Sequence, residues 1–165
     1  MALAELAQLL WAAQGVTGPA GQRTAPSAGA LYPLRVYVAA GRVHGLEAGV
    51  HRYDPTGHAL VRTGRRDLRA QLASAAGQPW IGQAPVVLLI AADRSRITAR
   101  YGGRSARFVD IEVGHAAQNV HLQAVALGLG STDVGAFDEA KVRALMGLPA
   151  NEEALLLVPV GRPRS

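Results

Sequence analysis

The segment from Arg104 to Leu129 most constrains the fold, because it contains no proline and its apolar residues fall on several faces of a helix. Its larger apolar side chains are Phe108, Ile111, Val113, Val120, Leu122, Val125 and Leu127, and the small residues among them include Gly114, Ala116, Ala117, Ala124 and Ala126. A helix that is apolar all round must be buried all round, and small residues let another backbone come close. A chain of 165 residues offers too little protein to cover such a helix. We therefore expect the helix to pack against its own copy in a homodimer.

Other segments around this helix predict an α+β fold. Leucines at helical spacing predict a first helix that ends at Gly15, and Asp138 is positioned to cap a short helix that ends at Gly147. The predicted helices are residues 2–14, 65–76, 104–129 and 139–146, and the predicted strands are residues 34–40, 85–92 and 154–161, with a hairpin around residues 55–57. The alternation in 34–40 predicts one buried face, whereas 85–92 is apolar on both faces and is expected to be central. We expect a mixed sheet flanked by helices, forming a single domain over residues 1–165.

The absence of cysteine excludes several function classes. It removes disulfide frameworks, thiolate metal sites, iron–sulfur clusters and a catalytic thiol. No run reaches the roughly 18 apolar residues of a membrane span. The N-terminal sequence carries Glu5 and no basic region ahead of it, unlike a signal peptide. A cytoplasmic protein without a membrane segment is the expectation.

A formal net charge of +5 raises the possibility of nucleic-acid binding. Lys141 is the one lysine, and the arginines are scattered in pairs without a long basic run. Two Trp and two Phe are few for base stacking, and they are not interleaved with the basic pairs. Nucleic-acid binding is therefore a minor alternative, because positive charge alone does not show how a protein would contact nucleic acid.

The histidines and serines do not predict a metal or hydrolase site. His44, His51 and His58 recur every seven residues, but glycines and Pro55 between them forbid a common helix face. His115 and His121 would lie on nearly opposite faces of one helix. There is no GxSxG sequence, which nucleophilic serines on an elbow turn require.

The first candidate site is the long Gly/Pro/Ser-rich loop over residues 15–33. Pro26 stiffens the loop, Ser27 can cap a turn, and residues 28–30 are small enough to leave backbone N–H groups open to a planar ligand. Such a loop suits a cofactor with carbonyl or phosphate oxygens. An ordinary structural loop is the alternative from these residues alone.

Five ordered motifs carry a resemblance to a known family. They are PSAGALYP at 26–33, YGGRSARFVDIEVGHAAQN at 101–119, ALGLG at 126–130, VGAFD at 134–138 and PVGRP at 159–163. In this order and spacing the chain resembles FMN-dependent nitroreductase-fold proteins, above all the SagB/ThcOx-type dehydrogenases, whose azoline-oxidising members aromatise heterocycles in peptides. The resemblance implies a homodimer with one FMN at each interface and a long central dimer helix. It also implies ping-pong hydride transfer from NAD(P)H to a small nitro, quinone or heterocyclic acceptor.

The resemblance also assigns candidate cofactor residues. Those that line the flavin, partly from across the dimer, are Pro26, Ser27, Ala28 and Gly29. Gln78 corresponds to a polar side chain near the flavin ring, and the segment whose backbone N–H faces flavin N5 consists of Val134, Gly135 and Ala136. A backbone donor at N5 stabilises the flavin without crowding its face. Arg23 and Arg162 are candidates for charge near the phosphate or the reduced ring.

The chain departs from the family pattern at the phosphate. Relatives grip the FMN phosphate with an Arg-rich RxSxR segment, and many nitroreductases add a basic C-terminal arm. This chain begins after the position of the RxSxR segment. It ends at Ser165, two residues after the GRP sequence at 161–163. A dianionic phosphate needs several donors, so we expect its binding to depend on Arg23, Arg162 or Arg164.

The second departure concerns proton transfer. Azoline-oxidising relatives carry a Lys-Tyr pair before the long helix, where this chain has Arg100 and Tyr101. Arginine stays protonated and cannot act as a base. Tyr101 is thus the single candidate catalytic residue, as a proton donor or as a group that orients substrate. Glu112, Gln118 and Asn119 on the long helix suit either a structural network or cofactor contact. A flavin-binding or structural protein with little turnover is the alternative function.

Overall fold

The computed structural model describes residues 1–163. In chain order its helices are α1 (Leu3–Gln14), α2 (Arg69–Ala75), α3 (Ser95–Tyr101), α4 (Ser105–Ala126) and α5 (Glu139–Met146). Its strands are β1 (Leu34–Ala40), β2 (Gly49–Asp54), β3 (Ala59–Gly64), β4 (Val86–Ala92), β5 (Gly130–Ser131) and β6 (Glu153–Gly161). Single 3₁₀ turns cover Ala28–Ala30, Pro79–Gln83 and Gly102–Arg104. The α+β fold class is confirmed.

The described strands form one sheet in the order β3-β2-β1-β4-β6-β5. The expectation of a mixed sheet was wrong, because each neighbouring pair of these strands is antiparallel. A long connection that includes α3 and α4 allows either direction for the strand that follows it. Here β6 lies antiparallel to β4. β4 is buried along its whole length and lies near the centre of the sheet, as predicted.

The two faces of the sheet carry separate apolar cores. Leu88 and Ile90 of β4 point into the first core, which α1 and α4 cover. Val87 and Leu89 point into the second core, under α2 and α5. Because helices cover both faces of the sheet, β1 is buried on both faces as well. The prediction that β1 buries only one face was therefore wrong: all its residues except Arg35 are buried.

Local capping residues mark both ends of α5, whereas α2 begins later than its sequence predicts. The Asp138 carboxylate accepts a hydrogen bond from the Lys141 backbone N–H at 3.0 Å, and Gly147 ends α5 with a left-handed φ of 67°. The helix predicted from residue 65 instead begins at Arg69; just before it, the Asp67 carboxylate accepts a hydrogen bond from the Arg69 N–H at 3.1 Å. α4 spans 22 residues and closely matches its prediction.

Within residues 1–163, no helix combines the length and apolar character that a bilayer crossing would need.

Candidate functional site

The loop before β1 has an unusual backbone. Gly29, Ala30 and Tyr32 have positive φ values of 61°, 55° and 47°. Left-handed conformations in non-glycine residues cost free energy and persist only where surrounding contacts enforce them. One such contact closes the turn, because the Tyr32 N–H donates to Ser27 Oγ at 2.9 Å.

Glu112 holds this loop from α4. Its carboxylate Oε1 accepts a hydrogen bond from the Ala28 N–H at 2.8 Å, and Glu112 itself is only 4% exposed. Burial raises the pKa of the Glu112 carboxyl, while the hydrogen bonds from Ala28 and Ser27 act in the opposite direction. Glu112 thus takes part in a structural hydrogen-bond network with the loop, while its contact with a cofactor stays a prediction.

Tyr101 lies against the same loop. A methyl group on Gly29 would come within 2.8 Å of Tyr101 Oη and 3.1 Å of Arg100 Nη1. The Tyr101 ring packs edge to face on Phe108, with the ring centroids 5.0 Å apart. The structure therefore brings together Ser27, Ala28, Gly29 and Tyr101, and Pro26 precedes them on the exposed side of the turn.

The second group of predicted residues lies at the edge of the sheet beside β6. Val134 exchanges two backbone hydrogen bonds with Leu157, at 2.9 and 3.0 Å, and its side chain is buried in the second core. Gly135 and Ala136 follow on the surface, and neither backbone N–H has a hydrogen-bond partner among residues 1–163. A methyl group on Gly135 would meet a single atom, Leu156 Cδ1, at 4.0 Å. Two exposed backbone donors in this segment are thus without a partner among residues 1–163.

Gln78 follows the end of α2, to which the chain after this second group is hydrogen-bonded. The Asp138 N–H donates to Ala75 O at 2.9 Å, which ties the segment after Ala136 to the end of α2. Gln78 follows three residues later, partly exposed, with its own N–H bonded to Ala73 O at 2.9 Å. In the part of the chain that the structure describes, no hydrogen bond or ion pair joins this group to the loop at 27–29.

Arg162 lies at the end of the sheet where β4 begins. Its Nη2 donates to Glu5 Oε1 at 2.6 Å, while its side chain stays 63% exposed. Together with Met1, Arg42 and His44 it lines an open cavity of about 620 Å³. Arg164, the third candidate for phosphate contact, lies outside the described residues.

Arg23 lies in a different place. Its Nη1 donates to Gln14 Oε1 at 2.9 Å, and its guanidinium carbon lies 4.6 Å from the centre of the Tyr32 ring. It lines a cavity together with Arg35, Arg52 and Arg96, none of which is part of a predicted site motif. No local pattern could have found them, because each belongs to a different part of the fold. The two candidate phosphate arginines are thus separated.

Comparison with known proteins identifies what the chain is similar to. Residues 1–162 match the model of the Nitroreductase family. A candidate nitroreductase of Methanocaldococcus jannaschii is 48% identical over 163 residues, which cover 98% of this chain and 81% of that protein.

Solved structures agree on the fold. A candidate nitroreductase from Ralstonia eutropha JMP134 is 32% identical, with a TM-score of 0.85 over 98% of this chain and 73% of that one. The Escherichia coli microcin synthetase complex McbBCD, bound to a truncated pro-MccB17, matches with a TM-score of 0.88. That match covers 100% of this chain and 65% of the other, and at 22% identity it shows similarity of fold alone.

Proposed function

Because the chain belongs to the nitroreductase family, we propose that it is an FMN-dependent oxidoreductase that uses NADH or NADPH to reduce a small organic acceptor. The observation that carries the proposal is the pair of unpartnered N–H groups at Gly135 and Ala136. Both residues are exposed, and a methyl group on Gly135 would meet only Leu156 Cδ1 at 4.0 Å, so little protein crowds this segment. Accessible backbone donors on an uncrowded segment suit an acceptor atom of a planar ligand.

The residues present fit a flavin. Gly135 and Ala136 would donate to its ring edge, and Gln78 would supply a polar side chain nearby. Residues 27–29 would offer a second, small-residue wall whose backbone Glu112 and Tyr101 hold in shape. Bound FMN would supply the ring that takes hydride from the nicotinamide and gives it up to the acceptor in a separate half-reaction.

We further propose that the enzyme is a homodimer whose interface includes α4. Ile111, Leu122 and Val125 on this helix are 44%, 63% and 76% exposed in the single chain. A methyl group on Gly114 would meet nothing within 4 Å, so another backbone has room to approach. Exposed apolar side chains grouped on one helix face are typical of an interaction surface. A dimer would also let the loop at 27–29 and the segment at 134–136 meet from different subunits.

Tyr101 is the one side chain to which we assign a chemical role. Its hydroxyl lies at the wall formed by Gly29, where it can donate a proton to an acceptor or orient it. Arg100 stays protonated and cannot serve as a base. We therefore favour nitro compounds and quinones, which need protons delivered, over heterocycles whose oxidation needs a base. The cytoplasmic location expected from the sequence stays a prediction.

The absorbance spectrum of the purified protein, with and without added FMN, tests the proposal. We expect a flavin spectrum, and oxidation of NADH or NADPH in the presence of a quinone or nitroaromatic compound. A protein that shows no flavin absorbance after incubation with FMN and removal of the unbound FMN would overturn the assignment. FMN binding without turnover on any acceptor would favour the alternative, a flavin-binding protein with little activity.

A further inference from the structure

A pocket between the loop before β1 and the β2–β3 hairpin is lined by four arginines. We call it the arginine pocket, and its defining residues are Arg23, Arg35, Arg52 and Arg96. They come from the loop, β1, β2 and α3, so the fold assembles them from four elements. The cavity holds about 180 Å³, and Asp54 is the one acidic residue among those that line it.

The positive charge in the pocket is poorly compensated. Among residues 1–163, Arg52 makes no side-chain hydrogen bond or ion pair, and neither Arg23 nor Arg96 has a carboxylate oxygen within 4.0 Å. Arg35 Nε lies 3.9 Å from Glu152 Oε1. That carboxylate already accepts a hydrogen bond from Tyr37 Oη at 2.7 Å.

The other nearby acids are engaged elsewhere. Asp54 Oδ1 accepts from the Thr56 N–H at 3.0 Å, and the Asp93 carboxylate accepts from Ser95 and Asn151. Glu152 and Asp93 keep their charge and offset part of that of Arg35, whereas Arg23, Arg52 and Arg96 have no carboxylate partner within 4.0 Å among residues 1–163.

The arginines act on one another electrostatically. Burial lowers the pKa of Arg23, and the charges of Arg35 and Arg96 lower it further. Burial also lowers the pKa of Arg35, again with a contribution from Arg96. All of these guanidinium groups nevertheless stay protonated at neutral pH. Partly buried like charges repel, so a bound anion would relieve the repulsion.

We propose that the arginine pocket binds a phosphate group of a nucleotide. Guanidinium groups donate paired N–H bonds to phosphate oxygens, and several arginines together match a dianion or a pyrophosphate. Pockets that enclose a whole drug-sized ligand have about 300–1,000 Å³. The cavity of about 180 Å³ is smaller, so it takes the phosphate and leaves the rest of the nucleotide outside. The phosphate belongs either to FMN or to NAD(P)H. The proposed function is needed only for naming these two nucleotides as its sources.

Calorimetric titration with inorganic pyrophosphate tests the pocket directly. Arg52→Gln and Arg96→Gln remove charge from its rim, and Arg66→Gln is the matched control, because Arg66 is exposed and lies outside the pocket. We expect pyrophosphate to bind, each rim variant to weaken binding about tenfold, and the control to change it less than about twofold. No binding, or equal binding by the double rim variant, would overturn the proposal. The result does not depend on flavin or turnover, so it stands even if the proposed enzyme function fails.

Two further titrations identify the source of the phosphate. If the pocket holds the FMN phosphate, the double rim variant loses affinity for FMN but keeps its affinity for riboflavin. If it holds a dinucleotide phosphate, the same variant loses affinity for NAD⁺ or NADP⁺ while FMN binding is unchanged. Unchanged affinity for all of these nucleotides would also overturn the proposal.

Discussion

Glu112 Oε1 accepts a hydrogen bond from the backbone N–H of Ala28 at 2.8 Å, which joins the middle of α4 to the loop before β1. The contact spans 84 positions of the chain. If α4 is the dimer helix and this loop lines the flavin, as we propose, the geometry of the loop is coupled to that of the subunit interface.

Replacing Glu112 with Gln keeps a side-chain oxygen as an acceptor for Ala28 but removes the titration. A carboxyl whose pKa is raised by folding stabilises the folded state below its ordinary pKa and loses that stabilisation as pH rises through the folded value. We therefore expect the unfolding free energy of the wild type to fall relative to Glu112→Gln as the pH rises from about 4, near the ordinary pKa of a glutamate, towards neutral. Urea unfolding across this range measures the difference. Parallel stability curves would contradict the buried titration.

Gly29→Ala should destabilise the fold through both backbone and contact. A left-handed φ of 61° costs about 1–2 kcal/mol for a residue with a Cβ. The new methyl would also lie 2.8 Å from Tyr101 Oη. We expect thermal and urea unfolding to show a loss of at least about 1 kcal/mol. Gly103→Ala is the control, because that glycine has open space and no left-handed φ; an equal loss in both variants would refute the explanation.

Gly135→Val should weaken FMN binding while leaving the folded chain intact. The chain itself leaves room for the side chain, since a methyl group there would contact only Leu156 Cδ1 at 4.0 Å. A bound flavin ring would lose that room, and we expect its affinity to fall about tenfold or more, with Gly135→Ala intermediate. Fluorescence titration measures affinity and thermal unfolding checks the fold. If FMN binds as tightly as before, the segment at 134–136 does not face the flavin.

Introducing Leu122→Glu and Val125→Glu together should convert a dimer into monomers. Both side chains are mostly exposed in the single chain, so the charges disturb the interface and not the core. Sedimentation should show the change in mass, and FMN binding should fall with it. Val61→Glu is the matched control, since Val61 is 45% exposed on β3, away from α4. A variant that remains dimeric would exclude this face.

Tyr101→Phe should slow one half-reaction only. The ring keeps its edge-to-face contact with Phe108, so we expect the fold to be retained. If the hydroxyl delivers a proton to the acceptor, reoxidation of the reduced enzyme should slow about 100-fold, while reduction by NAD(P)H stays unchanged. Stopped-flow measurement of the two half-reactions separates these effects. Equal reoxidation rates would mean that Tyr101 only shapes the wall at Gly29.

The sequence by itself determined most of the secondary structure, although it marked neither α3 nor β5. Helical spacing marked α1 and α4, continuous apolar character marked β4, and Asp138 and Gly147 marked the two ends of α5. These signals are local, because backbone periodicity, caps and turns depend on residues a few positions apart. Local composition also marked the loop before β1, whereas the segment at 134–136 was assigned only through its resemblance to a family motif.

Only the tertiary structure decided which of these segments meet. It buried β1 on both faces, made the sheet antiparallel, and separated Arg23 from Arg162. It also gave Glu112 its partner at Ala28 and gathered arginines from four elements around one pocket. Such contacts join residues tens of positions apart, and they follow from how helices and strands pack around two apolar cores. Sequence spacing does not encode that packing residue by residue, because many side-chain pairings are compatible with the same local pattern.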